Sequence, residues 1–363
     1  MLRGYTIIDA DGHVHEPDDL WQKRLAPEFR ARAPVRKDGL FRFGEVAAPK
    51  LMSPDLRAEI AKKSLAIYPE AHKASWSPES QVKGMDQMGL DVSFLYPTSG
   101  LHMWWFPNMD PPLAAAIARA YNDWIYEFTQ YDPKRLKPVA GLSLQDPNEA
   151  LRELERVTSQ MGARAVFVRP NPVDGRTLGD PAYEPIWREC ERLGVSIGLH
   201  EGTAGTPGHV GADRFRTFFA LHTSHASENM LAFLSLLEGG VFERHPTLRF
   251  AFLECGCGWV PYWLYRLDHV EYSYLDAAAR QHVKMKPSEY FRRQCYVSTE
   301  TEPYLGRLVD FIGEDRILFG SDYPHPDHEP DITEELVEME DLVSKRVLKK
   351  ILYDNPRAFY GIT

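Results

Sequence analysis

Near the N-terminus, Asp9-Ala10-Asp11-Gly12-His13-Val14-His15 places an ionisable group at every second position. Residues two apart in a regular strand share a face, so Asp9, Asp11, His13 and His15 are expected on one side. Four such groups on a buried face are costly without a partner. A divalent cation is the partner that carboxylates and imidazoles suit, and this outweighs the alternative of a turn, where Asp and Gly are common. Further along, apolar runs close on polar residues: Arg169, His200, Glu254, Glu300 and Asp322. His200 alone reads equally as a ligand or as a satisfied polar group closing a buried strand. Asp322 reads as a group reaching into a site or as a helix N-cap; the next helix signal comes only near Asp331, which favours the site.

These residues need elements to bring them together. Eight short β-branched or aromatic runs are expected as strands, at Tyr5–Val14, Val92–Pro97, Leu136–Leu144, Ala163–Pro170, Val195–His200, Arg249–Glu254, Gln294–Glu300 and Arg316–Pro324. Amphipathic stretches alternate with them. Pro111 and Pro112 open a helix running to about Gln130; Asp146 caps one that starts at Pro147. Tyr183–Leu193, Glu228–Leu237, Trp259–Ala278, Pro303–Ile312 and Thr333–Leu352 are the others. This alternation predicts an α/β fold, a (β/α)8 TIM barrel, as a single domain. In such a barrel the C-terminal strand ends converge on the active site, where the polar residues above stand. Residues 15–91 are expected as an insertion over the barrel mouth, with short helices such as Pro54–Leu65. The Gly-rich stretch 201–224 is expected as a mobile lid.

Composition narrows the function classes. The 363 residues are 44% hydrophobic and 26% charged, which is ordinary for a globular protein. No run approaches the ~18 to 20 apolar residues of a membrane span, and the start of the chain does not read as a signal peptide. A net charge of −10 argues against nucleic acid or an anionic membrane as partner. The four cysteines form neither a disulfide framework nor a CxxC pair, so reduced thiols in a cytoplasmic protein are expected.

As a set, several motifs resemble the amidohydrolase superfamily, in its branch containing aminocarboxymuconate-semialdehyde decarboxylase and resorcylate decarboxylase. They are the Asp-x-Asp-Gly-His start, His200, Gly239-Gly240-Val241-Phe242-Glu243-Arg244-His245-Pro246, Gly320-Ser321-Asp322-Tyr323-Pro324 and the closing Asn355-Pro356-Arg357-Ala358-Phe359-Tyr360-Gly361. The resemblance implies a mononuclear metal site held by Asp11, His13, His200 and Asp322; a second register would use His13 and His15. It also marks a departure: Glu254 stands where the decarboxylases usually carry a strand-six histidine. His225 is a stand-in for that histidine or a polar residue at a helix start.

The carboxylate-rich set suits one Zn or Mn ion. With Asp322, Glu254 and His225 as catalytic groups, the expected activity is non-oxidative decarboxylation of a small, aromatic or unsaturated carboxylic acid. A metal-dependent hydrolase of an amide, ester, lactone or carbon–carbon bond is the alternative that Glu254 favours; a non-catalytic ligand-binding barrel is the third. His15, Arg169, Trp259, His325 and Trp105, with Trp104, are candidates for substrate contact. Arg169 reads as a carboxylate clamp or as a structural salt bridge, and the tryptophans as an apolar wall or as packing. The resemblance implies a homodimer or higher homo-oligomer, with the aromatic segment Tyr262, Trp263 and Tyr265 as core or contact surface.

Overall fold

A computed structural model describes residues 2–37, 40–43, 46–47, 52–105, 108–202, 209–326 and 329–362. Eight parallel barrel strands follow the expected order. They are β1 (Ile8–Val14), β2 (Val92–Pro97), β3 (Leu136–Pro138 and Ala140–Gly141), β4 (Ala165–Val168), β5 (Ser196–Leu199), β6 (Phe250–Phe252), β7 (Cys295–Thr299) and β8 (Ile317–Phe319). Each pairs with its neighbour in sequence. β3 is split: its first segment pairs with β2 and its second with β4, and between them the Val139 N–H donates to Leu95 O at 3.2 Å. Past the end of β8, the Asp322 N–H donates to Asp11 O at 2.9 Å and the His13 N–H to Tyr323 O at 2.7 Å. These bonds join the eighth strand's continuation to the first.

The helices surround the sheet. Asp146 caps the helix Pro147–Met161 through the Asn148 and Glu149 N–H groups, as its sequence predicts. Pro111–Thr129 also matches. Two long helices are shorter than expected. The segment after β6 stops at His269 and continues in short turns, Glu271–Tyr274 and Ala279–His282. The last one breaks after Glu338, and Ser344 caps a new start by accepting from the Val347 N–H.

The 15–91 stretch is only partly an insertion. It holds a three-stranded antiparallel sheet (Val35–Lys37, Leu40–Phe43, Val46–Ala47) and the helices Pro54–Ile67 and Pro69–Lys73. Its last helix, Pro78–Met88, is the barrel's own crossover from β1 to β2. Ser77 caps it, and Gly89 ends it in the left-handed conformation at φ 73°. Gln81 from this helix donates to His13 O at 2.9 Å. Of the segment 201–224, expected as a mobile lid, residues 203–208 lie outside the described part; Phe218–His222 is a short helix. No helix among the described residues is long and apolar enough to cross a membrane.

Candidate metal centre

The polar residues of β1 do not share one face. A β-bulge between Asp9 and Gly12 inserts a residue relative to β2, and Asp9 turns away from the mouth. Its Oδ1 accepts from the Asp11 N–H (3.2 Å) and Ser321 N–H (2.9 Å), and its Oδ2 from Ser93 Oγ (2.6 Å) and Ser321 Oγ (2.9 Å). Burial raises the pKa of this carboxyl, against the pull of these hydrogen bonds. Gly12 makes the bulge fit, since a Cβ there would lie 2.2 Å from Ser93 Oγ and 2.4 Å from Asp9 Oδ2.

Asp11 and His13 stay at the mouth. His13 Nδ1 meets Pro97 O at 2.9 Å, and His200 Nδ1 meets Glu201 O at 2.8 Å. A carbonyl only accepts, so each Nδ1 donates a proton and each Nε2 is left turned inward, a ligand atom once it is free of a proton. Those two Nε2 atoms face each other at 3.1 Å. Three carboxylates close around them. Glu254 Oε2 is 3.0 Å from His200 Nε2 and 3.5 Å from His13 Nε2; Asp11 Oδ1 is 3.4 and 3.9 Å from the same atoms; Asp322 Oδ1 is 3.4 Å from His13 Nε2. Asp11 Oδ1 and Glu254 Oε2 are buried with no partner other than these two imidazoles. Two inward imidazole nitrogens among carboxylate oxygens that have no partner besides those rings form a donor set for one divalent cation. The carboxylates make the pocket a place for positive charge: burial favours the neutral imidazole of His200, yet Asp11 and Glu254 override it and hold its pKa well above the usual value, so Nε2 carries a proton where a cation would replace it. Burial likewise disfavours the charged Glu254, yet His200 and His13 hold that carboxyl well below its usual range.

Glu254 and Asp322 both adopt left-handed backbone, at φ 46° and 54°. Non-glycine residues reach this region rarely and at a cost. The Glu254 N–H is held by Asp11 Oδ2 and Ser298 Oγ, both at 3.0 Å, and the Asp322 N–H by Asp11 O as above. Asp11 thus anchors the backbone of both other carboxylates.

Two histidines flank the cluster. His325 Nδ1 lies 2.6 Å from Asp322 Oδ1, with Nε2 at Thr98 Oγ1 (2.8 Å). His225 lies near the start of the helix Ser224–Glu238, with Nδ1 3.0 Å from Glu254 O and 3.4 Å from Glu254 Oε1, and Nε2 3.1 Å from Glu201 Oε2. His222, His225 and Glu254 also group closely enough to bind a cation.

Other expected contacts are placed differently. Arg169 is 1% exposed, and its guanidinium is committed to Asn171, Leu101 O, Glu201 and Gly202 O, so it is a buried strut and not a substrate clamp. Trp104 is fully buried against Tyr121, Phe167 and Gly141 as core. Trp105 is also buried, with its indole N–H unbonded, and Trp259 packs edge-on against Phe252. His15 lies outside the donor groups; its ring packs on Trp76 at 4.4 Å, and burial with the neighbouring His325 and His13 lowers its pKa to about 3. Glu201 and His102 escaped the sequence reading. Burial lowers the His102 pKa to about 3, with Arg169, His225, Glu254 and His325 all near enough to act on it. Glu201 had a signal, as the carboxylate directly after His200. His102 sits in a short helix, Gly100–Met103, and carried none.

Comparison with known proteins agrees with this architecture. The chain is 27% identical to 2-amino-3-carboxymuconate-6-semialdehyde decarboxylase of Dictyostelium discoideum over 298 residues, covering 82% of this chain and 80% of that one. It is 31% identical to gamma-resorcylate decarboxylase of Rhizobium radiobacter over 223 residues, 59% of this chain and 68% of the other. The crystal structure of an amidohydrolase from Mycobacterium avium subsp. paratuberculosis superposes with a TM-score of 0.81 at 26% identity, covering 99% of this chain and 100% of that one. The Amidohydrolase family model matches residues 8–362, and the chain belongs to that family.

Proposed function

We propose that this protein is a divalent-metal-dependent decarboxylase that removes carbon dioxide non-oxidatively from a small aromatic or unsaturated carboxylic acid. The approach of His13 Nε2 to His200 Nε2 at 3.1 Å inside three carboxylates carries the metal part of this reading. The two decarboxylase relatives support the reaction class. Asp11, His13, His200, Glu254 and Asp322 would hold the ion, with Zn or Mn suiting the mixed oxygen and nitrogen donors. When bound, the ion supplies Lewis acidity toward a substrate oxygen.

The chain's own groups divide the remaining work. Asp322 is engaged by His325 and faces His13, which commits it to the cluster. Proton delivery is therefore assigned to the opposite flank, where His225 Nδ1 lies beside Glu254. There a C–H bond forms at the carbon bearing the carboxylate. The bond to the carboxylate then breaks, its electron pair returns to the ring or double bond, and carbon dioxide leaves. Solvent restores the proton.

A test incubates metal-loaded protein with a panel of such acids in deuterated water. Carbon dioxide release with one deuterium at the vacated carbon is the expected result; release from none of the panel would overturn the reading. Hydrolysis is a second reading, favoured by Glu254 at the end of β6 where its decarboxylase relatives are expected to carry histidine. Oxygen from labelled water in the product would identify it.

A further inference from the structure

We infer that Glu201 is a positioning residue, braced by Arg169 and Asn171, that fixes the His225 ring against Glu254 in a single orientation. The catalytic consequence rests on the role proposed above for His225; the brace does not.

Glu201 follows His200 directly and is fully buried. A buried carboxylate is costly unless its lone pairs are met. Its Oε1 accepts from Arg169 Nη2 at 3.0 Å and from Asn171 Nδ2 at 3.3 Å. Its Oε2 has no other partner and lies 3.1 Å from His225 Nε2, as an ion-pair contact. Arg169 is itself immobilised, donating to Leu101 O and Asn171 Oδ1, both at 2.8 Å, and to Gly202 O. The rigid guanidinium fork thus sets the carboxylate plane, and the carboxylate plane sets where Oε2 meets the imidazole.

At its other nitrogen, His225 meets the Glu254 carbonyl at 3.0 Å. A half-turn of the ring would put carbon atoms at both contacts and lose both. The line Arg169, Glu201, His225, Glu254 therefore runs unbroken from a guanidinium with 1% exposure to the metal cluster. A buried ion pair alone adds little stability over an apolar replacement, so orienting His225 is what this arrangement supplies. Residues that orient a site group from behind in this way change affinity or activity by about 10- to 100-fold when removed.

The test compares the metal-loaded protein, labelled with nitrogen-15 at histidine, with Glu201→Gln, Arg169→Lys, His225→Asn and the double variant Glu201→Gln/His225→Asn. The readouts are metal content, the deshielded Nε2–H proton signal of His225 (assigned by its loss in His225→Asn), and kcat and KM. Glu201→Gln is expected to shift or lose that signal while keeping the metal. Its kcat should fall by about 10- to 100-fold with KM little changed, and the double variant should be no slower than His225→Asn. Arg169→Lys, which keeps charge but loses the fork, should move the same signal less. A His225 signal unchanged in both Glu201→Gln and Arg169→Lys would overturn the inference, as would losses that multiply in the double variant. Should no acid be turned over, the signal and the metal content still decide the brace, so its failure is distinct from failure of the decarboxylase reading.

Discussion

His13 Nε2 and His200 Nε2 point at one another across 3.1 Å because each ring has spent its other nitrogen on a backbone carbonyl. The carboxylates around that pair favour a positive charge there, either a proton on Nε2 or a divalent ion that replaces it. Purified protein should therefore carry about one divalent ion per chain by mass spectrometry. An ion present at about 100 times its Kd stabilises the fold by about 2.7 kcal/mol, so chelation should lower Tm by several degrees. His13→Ala and His200→Ala should abolish both the ion and the Tm response to added metal. Wild-type protein that neither holds metal nor gains Tm from it would refute the centre.

His325 braces Asp322 from behind, with its far nitrogen on Thr98. Replacing it with Ala should cost about 10- to 100-fold in metal affinity, measured by competition with a chromogenic chelator. Thr98→Val should give a smaller loss in the same direction, because the imidazole loses only its outer partner.

Gly12 is a packing requirement of the bulge. Gly12→Ala puts a methyl group within 2.4 Å of two oxygens of the Asp9–Ser93 pair. Overpacking on this scale should cost on the order of 3 kcal/mol, read from denaturant unfolding. Gly162→Ala is the control, since its Cβ would meet nothing within 4 Å and its cost is confined to the left-handed backbone at φ 65°.

A pH-dependent link ties the turn before β8 to the C-terminal helices. Glu314 binds Arg346 (Nη2 to Oε2 at 2.6 Å) and Lys350 (Nζ to Oε1 at 2.7 Å), and these cations lower its pKa from 4.5 to about 2. A carboxyl depressed on folding contributes stability above its unfolded value and loses it as pH falls through the folded one. The Tm of the protein should therefore exceed that of Glu314→Gln at neutral pH. The difference should shrink below pH 4.5 and vanish toward pH 2. A difference independent of pH would show that the two cations do not act through this charge.

The strand order and the convergence of Asp11, His13, His200, Glu254 and Asp322 were legible because Asp11 and His13 stand two apart on the first strand while the others close short apolar runs, and a parallel barrel turns such ends to one side. The placement of Asp9 was not, since alternation assumes a regular strand and the bulge breaks it. The helix Pro78–Met88 was hidden inside a polar stretch although Ser77, Pro78 and Gly89 mark both of its ends. Arg169 at a strand end reads alike as clamp or strut; only the four acceptors around it, from the short helix Gly100–Met103 and the segments after β4 and β5, decide. Leu101, Glu201 and Gly202 are neighbours of Arg169 in space and not in sequence.

The bond between Asp9 and Ser321 spans 312 positions of chain. On a ribosome adding about 5–20 residues per second, β1 therefore waits on the order of tens of seconds for the segment that pins it. Throughout that time Asp11 and His13 are synthesised but lack Asp322, so a chain that ends before Asp322 lacks one of the five side chains proposed to hold the ion. An ion that needs all five would be captured only late in synthesis, and a chain cut short before Ser321 would leave the ribosome without Asp322 and with an unpinned first strand.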